Sequence, residues 1–257
     1  MGMILGLMGG GGSILTVPIL VYLFDIPART ATGYSLFIVG LTAGFGAISY
    51  SRSKLIDYQA AFLFALPALV GVYLSRRFLV PSLPEVLFQI GGVTLLKDQF
   101  ILVAFSIVML LASYSMMRGK KVSAATESLF AMSVWRMGTQ GFGVGLVTGF
   151  VGAGGGFLIT PALVVLARLE MKVAVGTSLL VIAVNSSFGF IGDLQASVDS
   201  GSTVDWMLLA RFLAASLIGI ILGTQWSRKI EGGNLKFAFG AFVFIVGVIL
   251  LGANLLF

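Results

Sequence analysis

Eight stretches of the chain carry no charged residue: 1–24, 30–51, 58–75, 99–117, 137–167, 173–192, 212–227 and 237–257. The seventh reaches back to Asp205 if Arg211 is admitted. Each is rich in Leu, Ile, Val, Phe and Ala, and most are long enough to cross about 30 Å of hydrocarbon at 1.5 Å per residue. Runs of this length without period-two alternation leave no competing strand reading. The pattern predicts an all-α integral membrane protein of about eight transmembrane helices. Trp135, Trp206 and Trp226 all fall at span ends, where an amphipathic ring favours the headgroup boundary.

Two stretches depart from a plain span. Residues 137–167 would make a helix of about 46 Å, too long to cross straight, and they contain Gly149, Gly152, Gly154, Gly155, Gly156 and Pro161. Residues 1–24 repeat the arrangement with Gly9, Gly10, Gly11 and Gly12 ahead of Pro18. The first and fifth helices are therefore expected to be broken at these glycines. Residues 81–98 are only half apolar and read as a loop or interfacial segment. The chain opens Met-Gly-Met-Ile-Leu-Gly, without the basic start of a signal peptide, and Gly6 stands where a myristoylation signal has Ser or Thr. The first apolar stretch is thus read as structural.

The halves resemble each other. Shifted by 143 positions, residues 9–46 lie over 152–189 without a gap, with about 14 identities in 38 positions. Gly9, Gly11, Gly12, Leu15 and Pro18 meet Gly152, Gly154, Gly155, Leu158 and Pro161, and Gly33-Tyr34-Ser35-Leu36 meets Gly176-Thr177-Ser178-Leu179. With five residues of further offset, Asp57 and Gly71 fall on Asp205 and Gly219. The organisation expected is a first repeat over 1–117, a polar linker over 118–136 and a second repeat over 137–257. Whether the repeats are parallel or inverted turns on the number of crossings per half. With eight plain crossings the basic residues of the loops divide six against nine, which leaves orientation open.

Composition narrows the function. Hydrophobic residues make up 58% of the 257 positions and charged residues 10%, with a mean hydropathy of +1.06, whereas a water-facing surface needs about 25% charged residues. The partner implied is a lipid bilayer, and the location a cell membrane crossed several times. There are no cysteines and no histidines, which removes disulfides, thiolate zinc sites, thiol nucleophiles and Ser-His-Asp chemistry. No metal, cofactor or catalytic residue is expected. Sixteen basic residues in short loops, for a net charge of +6, suit phospholipid headgroups better than a nucleic-acid stripe. A membrane enzyme would need convergent acids, bases or ligands that the spans lack. An assembly subunit, whose glycines serve only packing, and a homodimer stay open as alternatives.

The paired glycine motifs carry the chemistry. Unwound backbone at membrane depth is tolerated where protein or a watery cavity satisfies it, and free N–H groups at the start of a half-helix form an anion site aided by the helix dipole. The bland alternative is close helix packing through small residues. Gly9 to Pro18 with Ala31 to Leu36, and Gly152 to Pro161 with Ala174 to Leu179, resemble the sulfite exporter TauE/SafE family over nearly the whole chain. The resemblance implies a multi-helix permease for sulfite, sulfonates or related sulfur oxyanions. The first half departs in reading Gly-Gly-Gly-Gly-Ser where the second reads Gly-Ala-Gly-Gly-Gly.

The substrate-binding candidates are Gly9, Gly10, Gly11, Gly12, Ser13, Thr16, Tyr34, Ser35, Gly152, Gly154, Gly155, Gly156, Thr160, Thr177, Ser178 and Asn185. Their hydroxyls and amides could serve a small anion, or could bond carbonyls one turn back. Arg211 either snorkels or attracts the anion, and Asp193 is interfacial or couples protons. No nucleotide-binding Gly-x-x-x-x-Gly-Lys loop is present. A membrane potential, about 2.3 kcal/mol per charge per 100 mV, suffices to drive anions out of a negative interior. The expectation is a secondary, potential-assisted exporter working by alternating access.

Overall fold

In a medium without water each backbone amide must find its partner within the chain, so apolar runs close their hydrogen bonds as helices. The computed structural model follows that rule. It describes residues 1–26, 28–79, 82–84, 86–90, 93–118, 134–151, 156–199 and 204–256. In chain order the helices are α1 (Gly2–Met8), α2 (Ser13–Phe24), α3 (Ala28–Arg52), α4 (Tyr58–Leu74), α5 (Lys97–Arg118), α6 (Val134–Val151), α7 (Gly156–Val165), α8 (Met171–Asp199), α9 (Trp206–Lys229) and α10 (Gly232–Leu256). Among the described residues five helices are long and apolar enough to cross a membrane: Thr30–Arg52, Gln99–Met117, Met171–Ile191, Trp206–Lys229 and Gly232–Gly252. The 17-residue α4 reaches about 26 Å.

One segment departs from the all-α expectation. Within 81–98, read above as a loop, β1 (Val86–Ile90) and β2 (Val93–Leu96) pair antiparallel, Gln89 opposite Thr94 and Ile90 opposite Val93. Both runs are rich in β-branched or aromatic residues and flank Gly91-Gly92 in sequence, which is the composition of a tight hairpin. The half-apolar character that argued against a span concealed a strand pair.

The first apolar stretch is broken, as its glycines predicted. Gly9 closes α1 at φ 71°, a left-handed setting that L side chains resist, and a single 3-10 turn over Gly10–Gly12 leads into α2. The break is also a reversal. A Cβ on Gly12 would lie 2.8 Å from both the Met1 carbonyl oxygen and the Leu5 nitrogen, so residue 12 sits beside α1 rather than ahead of it. Thr16 and Ile19 share a cleft of about 180 Å³ with Met1 and Gly2, so α2 retraces the path of α1. The expected fifth span falls on α6 and α7, which make a second hairpin. Gln140, Val144 and Val147 of α6 line a groove of about 460 Å³ together with Leu158, Ala162 and Val165 of α7. Gly152, Gly154 and Gly155 lie outside the described residues. Asp25 and Arg168, equivalent under the 143-residue shift, each leave their hairpin in the left-handed conformation, at φ 52° and 55°.

Helix pairing is reciprocal between the halves. Helix α1 packs on α9 and α4 on α6, while α3 packs on α8 and α5 on α10. Backbones meet closely in the first two pairs: a Cβ on Gly2 or Gly6 would strike α9 near Ser216 or Ile220, and one on Gly145 or Gly149 would strike α4 near Ala68 or Val72. Small residues allow this approach where dispersion, not the hydrophobic effect, holds helices together. Gly145→Ala is therefore expected to destabilise the protein by about 1–3 kcal/mol through overpacking. Gly143→Ala, where an added Cβ meets nothing within 4 Å, should be close to neutral. Thermal unfolding in detergent checks the pair.

The central pair fixes direction. Gly189 abuts Leu36, Gly40 abuts Ser186, Gly46 abuts Leu179 and Gly176 abuts Tyr50, so α3 and α8 run antiparallel. One end of the bundle, here end I, collects the end of α3, the starts of α4, α8 and α10, and the end of α9. Lys172 Nζ donates to the Arg228 carbonyl at 2.9 Å, Arg228 Nη2 donates to the Ser49 carbonyl at 2.8 Å, and Gly232 lies beside Met171. End II collects the ends of α2 and α8 and the starts of α3 and α9, where the rings of Phe37, Phe190 and Trp206 pack together. Trp206 and Trp226, both about half exposed, mark the two ends of α9 some 30 Å apart, the thickness of a hydrocarbon core. Between those levels Leu111, Ile218 and Ile249 turn outward. That belt faces lipid.

Candidate functional site

The tip of the first hairpin meets the start of α7 at the centre of the bundle. Gly10 packs directly on the backbone of Gly156 and Phe157, and the neighbouring Ile182 of α8 lies some eleven residues from end I. A close backbone approach of this kind leaves no room for a side chain on Gly10. The crossing is buried: Gly9 to Ser13, Thr16, Gly156 and Thr160 on the hairpins, and Ser178 on α8.

A chain of donors runs through this crossing. The Gly10 N–H donates to Thr160 Oγ1 at 3.0 Å, Thr160 Oγ1 donates to Ser178 Oγ at 2.9 Å, and Ser178 Oγ donates to the Val175 carbonyl at 2.9 Å. Gly9 lies against the same two hydroxyls. Ser13 Oγ donates back to the Gly10 carbonyl at 2.7 Å, and Thr16 Oγ1 reaches the Gly12 carbonyl at 3.4 Å. These donors satisfy one another. An oxyanion entering between Gly10 and Thr160 would collect a backbone N–H and two hydroxyl protons, the charge-assisted bonds that bind anions most strongly. Among the described residues of the crossing there is no titratable side chain, so its polarity is fixed against pH.

The two halves contribute unequally. Thr160 is equivalent to Val17, Ser13 to Gly156 and Thr16 to Ile159, so the hydroxyls at the core come from Thr160 and Ser178 of the second half and from Ser13 and Thr16 of the first, at non-equivalent positions. Ser35, the counterpart of Ser178, is buried on α3.

Other predicted residues sit elsewhere. Tyr34 Oη accepts the Asp205 N–H at 2.7 Å, and Thr177 Oγ1 accepts the Asp57 N–H at 3.0 Å. Both hydroxyls thus join helix starts rather than pointing at the crossing. Asn185 lies midway along α8, its side-chain oxygen buried without a hydrogen-bond partner. Arg211 is exposed little more than one turn into α9 from end II, the position from which a long side chain snorkels. Asp193 belongs to α8, but its side chain lies outside the described residues. Asp57 and Asp205 went unassigned in the sequence. Each caps its helix, accepting the N–H of Ala60 at 2.8 Å or Leu208 at 2.9 Å, and their alignment in the internal repeat was the signal available.

The sequence model described as sulfite exporter TauE/SafE matches residues 1–250. The chain belongs to the TauE/SafE family. It is 30% identical to a "Probable membrane transporter protein" of Xylella fastidiosa (strain Temecula1 / ATCC 700964), over 96% of this chain and 89% of that one. It is 27% identical to "Probable membrane transporter protein YdhB" of Bacillus subtilis (strain 168), over 98% and 96%. A further relative, "Probable membrane transporter protein MJ0441" of Methanocaldococcus jannaschii, is 25% identical over 97% and 92%. No solved structure matches. As a TauE/SafE member with several long apolar helices, the chain is a multi-pass protein of the cell membrane and a membrane transporter.

Proposed function

We propose that this TauE/SafE member exports a small sulfur oxyanion, sulfite or a sulfonate, as a secondary carrier working by alternating access. The observation that carries the reading is the donor chain from Gly10 through Thr160 to Ser178, buried where two helix hairpins meet. The eight apolar stretches then correspond to six crossings and two hairpins, arranged as repeats over 1–117 and 137–257 around a linker over 118–136. A hairpin that enters and leaves at one end gives each half an odd number of crossings, so the copies are inverted. The antiparallel α3 and α8, and the reciprocal contacts of α1 with α9 and α4 with α6, support that arrangement, which is common among carriers with midplane sites.

Inversion also changes the charge count. Arg52, Lys54, Arg118, Arg136, Arg168 and Lys172 fall at end I with Arg228, Lys229 and Lys236, whereas end II has Arg29, Arg76, Arg77 and Lys97, with Arg211 close by. Among the described residues, nine against five favours end I as the cytoplasmic face. The second hairpin, with Thr160, then opens to the interior and the first to the exterior. Basic residues at the loading face raise the local anion concentration.

The absence of a titratable group from the described crossing points to the membrane potential as driving force. Purified protein in liposomes with a potassium-diffusion potential tests this with methanesulfonate, which stays monoanionic across the pH range used. Efflux should rise with interior-negative potential and change little between pH 6 and 8. Flux that ignores voltage and follows a pH gradient overturns it.

A further inference from the structure

We propose that Tyr34 and Thr177 are the two gate latches of the carrier, one at each end of the bundle, and not ligands of the anion. The proposal rests on the alternating-access reading above.

The two residues are equivalent under the internal repeat and make equivalent bonds across it. Tyr34 lies on α3, two turns from its end II start, and holds the N–H of Asp205, the residue that begins α9 of the other half, at 2.7 Å. Thr177 lies on α8, two turns from its end I start, and holds the N–H of Asp57, which begins α4 of the other half, at 3.0 Å. Tyr34 is 7% exposed and Thr177 fully buried. Asp57 and Asp205 spend their carboxylates on capping α4 and α9, so the backbone N–H is the group left for the opposite half.

Each latch therefore ties the start of a lipid-facing helix to the helix that carries a motif serine, and the two ties lie at opposite ends. Both are made at once, with Gly10 and Thr160 also in contact between them, so the crossing is closed from both sides. Admission from either end requires its own latch to part. At end I the connection to the site is one peptide bond long: Thr177 holds Asp57 while the adjacent Ser178 holds Thr160. A movement of the α8 start that frees Asp57 also draws Ser178 from Thr160, exposing donors to an arriving anion. Tyr34 and Ser35 stand in the same relation at end II, without a counterpart to Thr160, because that position is Val17. The latches are thus alike in design and unlike in what they release.

The natural absence of cysteine makes the test direct. A single reporter, Ser13→Cys, beside Gly156 at the crossing, is labelled with a membrane-impermeant maleimide in right-side-out and inside-out vesicles. Tyr34→Phe is expected to speed labelling about five- to tenfold from the end II side alone, the effect of losing one hydrogen bond. Thr177→Val should do so from the end I side alone, and Thr177→Ser should restore the parent rate. Acceleration from the same side by both variants, from both sides by either, or from neither side overturns the assignment. No substrate enters the measurement, so failure of every candidate anion to be carried would sink the transport reading and leave this result to be judged alone.

Discussion

Gly10→Ala is expected to abolish anion flux, lowering it by more than an order of magnitude and reducing stability by about 1–3 kcal/mol, the usual cost of overpacking. The added methyl would fall on the Gly156 carbonyl and the Phe157 backbone. These are main-chain atoms, so no side-chain rotation relieves the collision, and the hairpin tips must separate. Separation breaks the Gly10 to Thr160 bond and with it the donor chain. Gly233→Ala serves as the control, since a Cβ there meets nothing within 4 Å and flux should be unchanged. Flux into liposomes, set beside a melting curve for each variant, is the measurement. An alanine variant that transports at the parent rate would show that the tips do not need their backbone contact.

Thr160→Val should raise the half-saturating anion concentration about ten- to a hundredfold, because a hydrogen bond to a charged group contributes about 1.5–3 kcal/mol. Valine keeps the shape and removes both the acceptor for Gly10 and the donor to Ser178. The penalty for an unpaired Gly10 N–H falls on the empty protein as well, so stability also drops, by about 1–3 kcal/mol. Thr160→Ser retains the hydroxyl and should keep most of the affinity. Concentration-dependent flux separates an affinity loss from a loss of rate. Equal half-saturation in parent and Thr160→Val would remove Thr160 from the anion's partners.

Much of this was legible in the sequence. Charge-free runs located the long helices, and the doubled glycine clusters located the first break, because glycine and proline weaken a helix wherever they occur. Direction was not legible. A broken rod and a hairpin have the same composition, and only the return of Gly12 beside Leu5 tells them apart. Charge counts made on eight plain crossings consequently gave no orientation. Among the residues named from their place beside the breaks, Thr160 and Ser178 bond each other and Ser13 lies beside Gly156. Tyr34 and Thr177 were named for the same reason, but their hydroxyls reach Asp205 and Asp57, partners more than a hundred residues away that no local pattern predicts. The strand pair was missed because the surrounding Pro81 to Glu85, Gly91-Gly92 and Lys97-Asp98 dilute two short apolar runs to the hydropathy of a loop.

The antiparallel run of α3 against α8 bears on how such a chain could arise. On the inverted reading, a tandem gene duplication places the second copy upside down, so the ancestral half must have been tolerated by the insertion machinery both ways up. Its arginines and lysines would then have been nearly balanced between its two faces. On the same reading the basic excess at end I would have been acquired after fusion, when the joined chain no longer had to insert in either sense, and Val17 opposite Thr160 would record the same freedom to diverge.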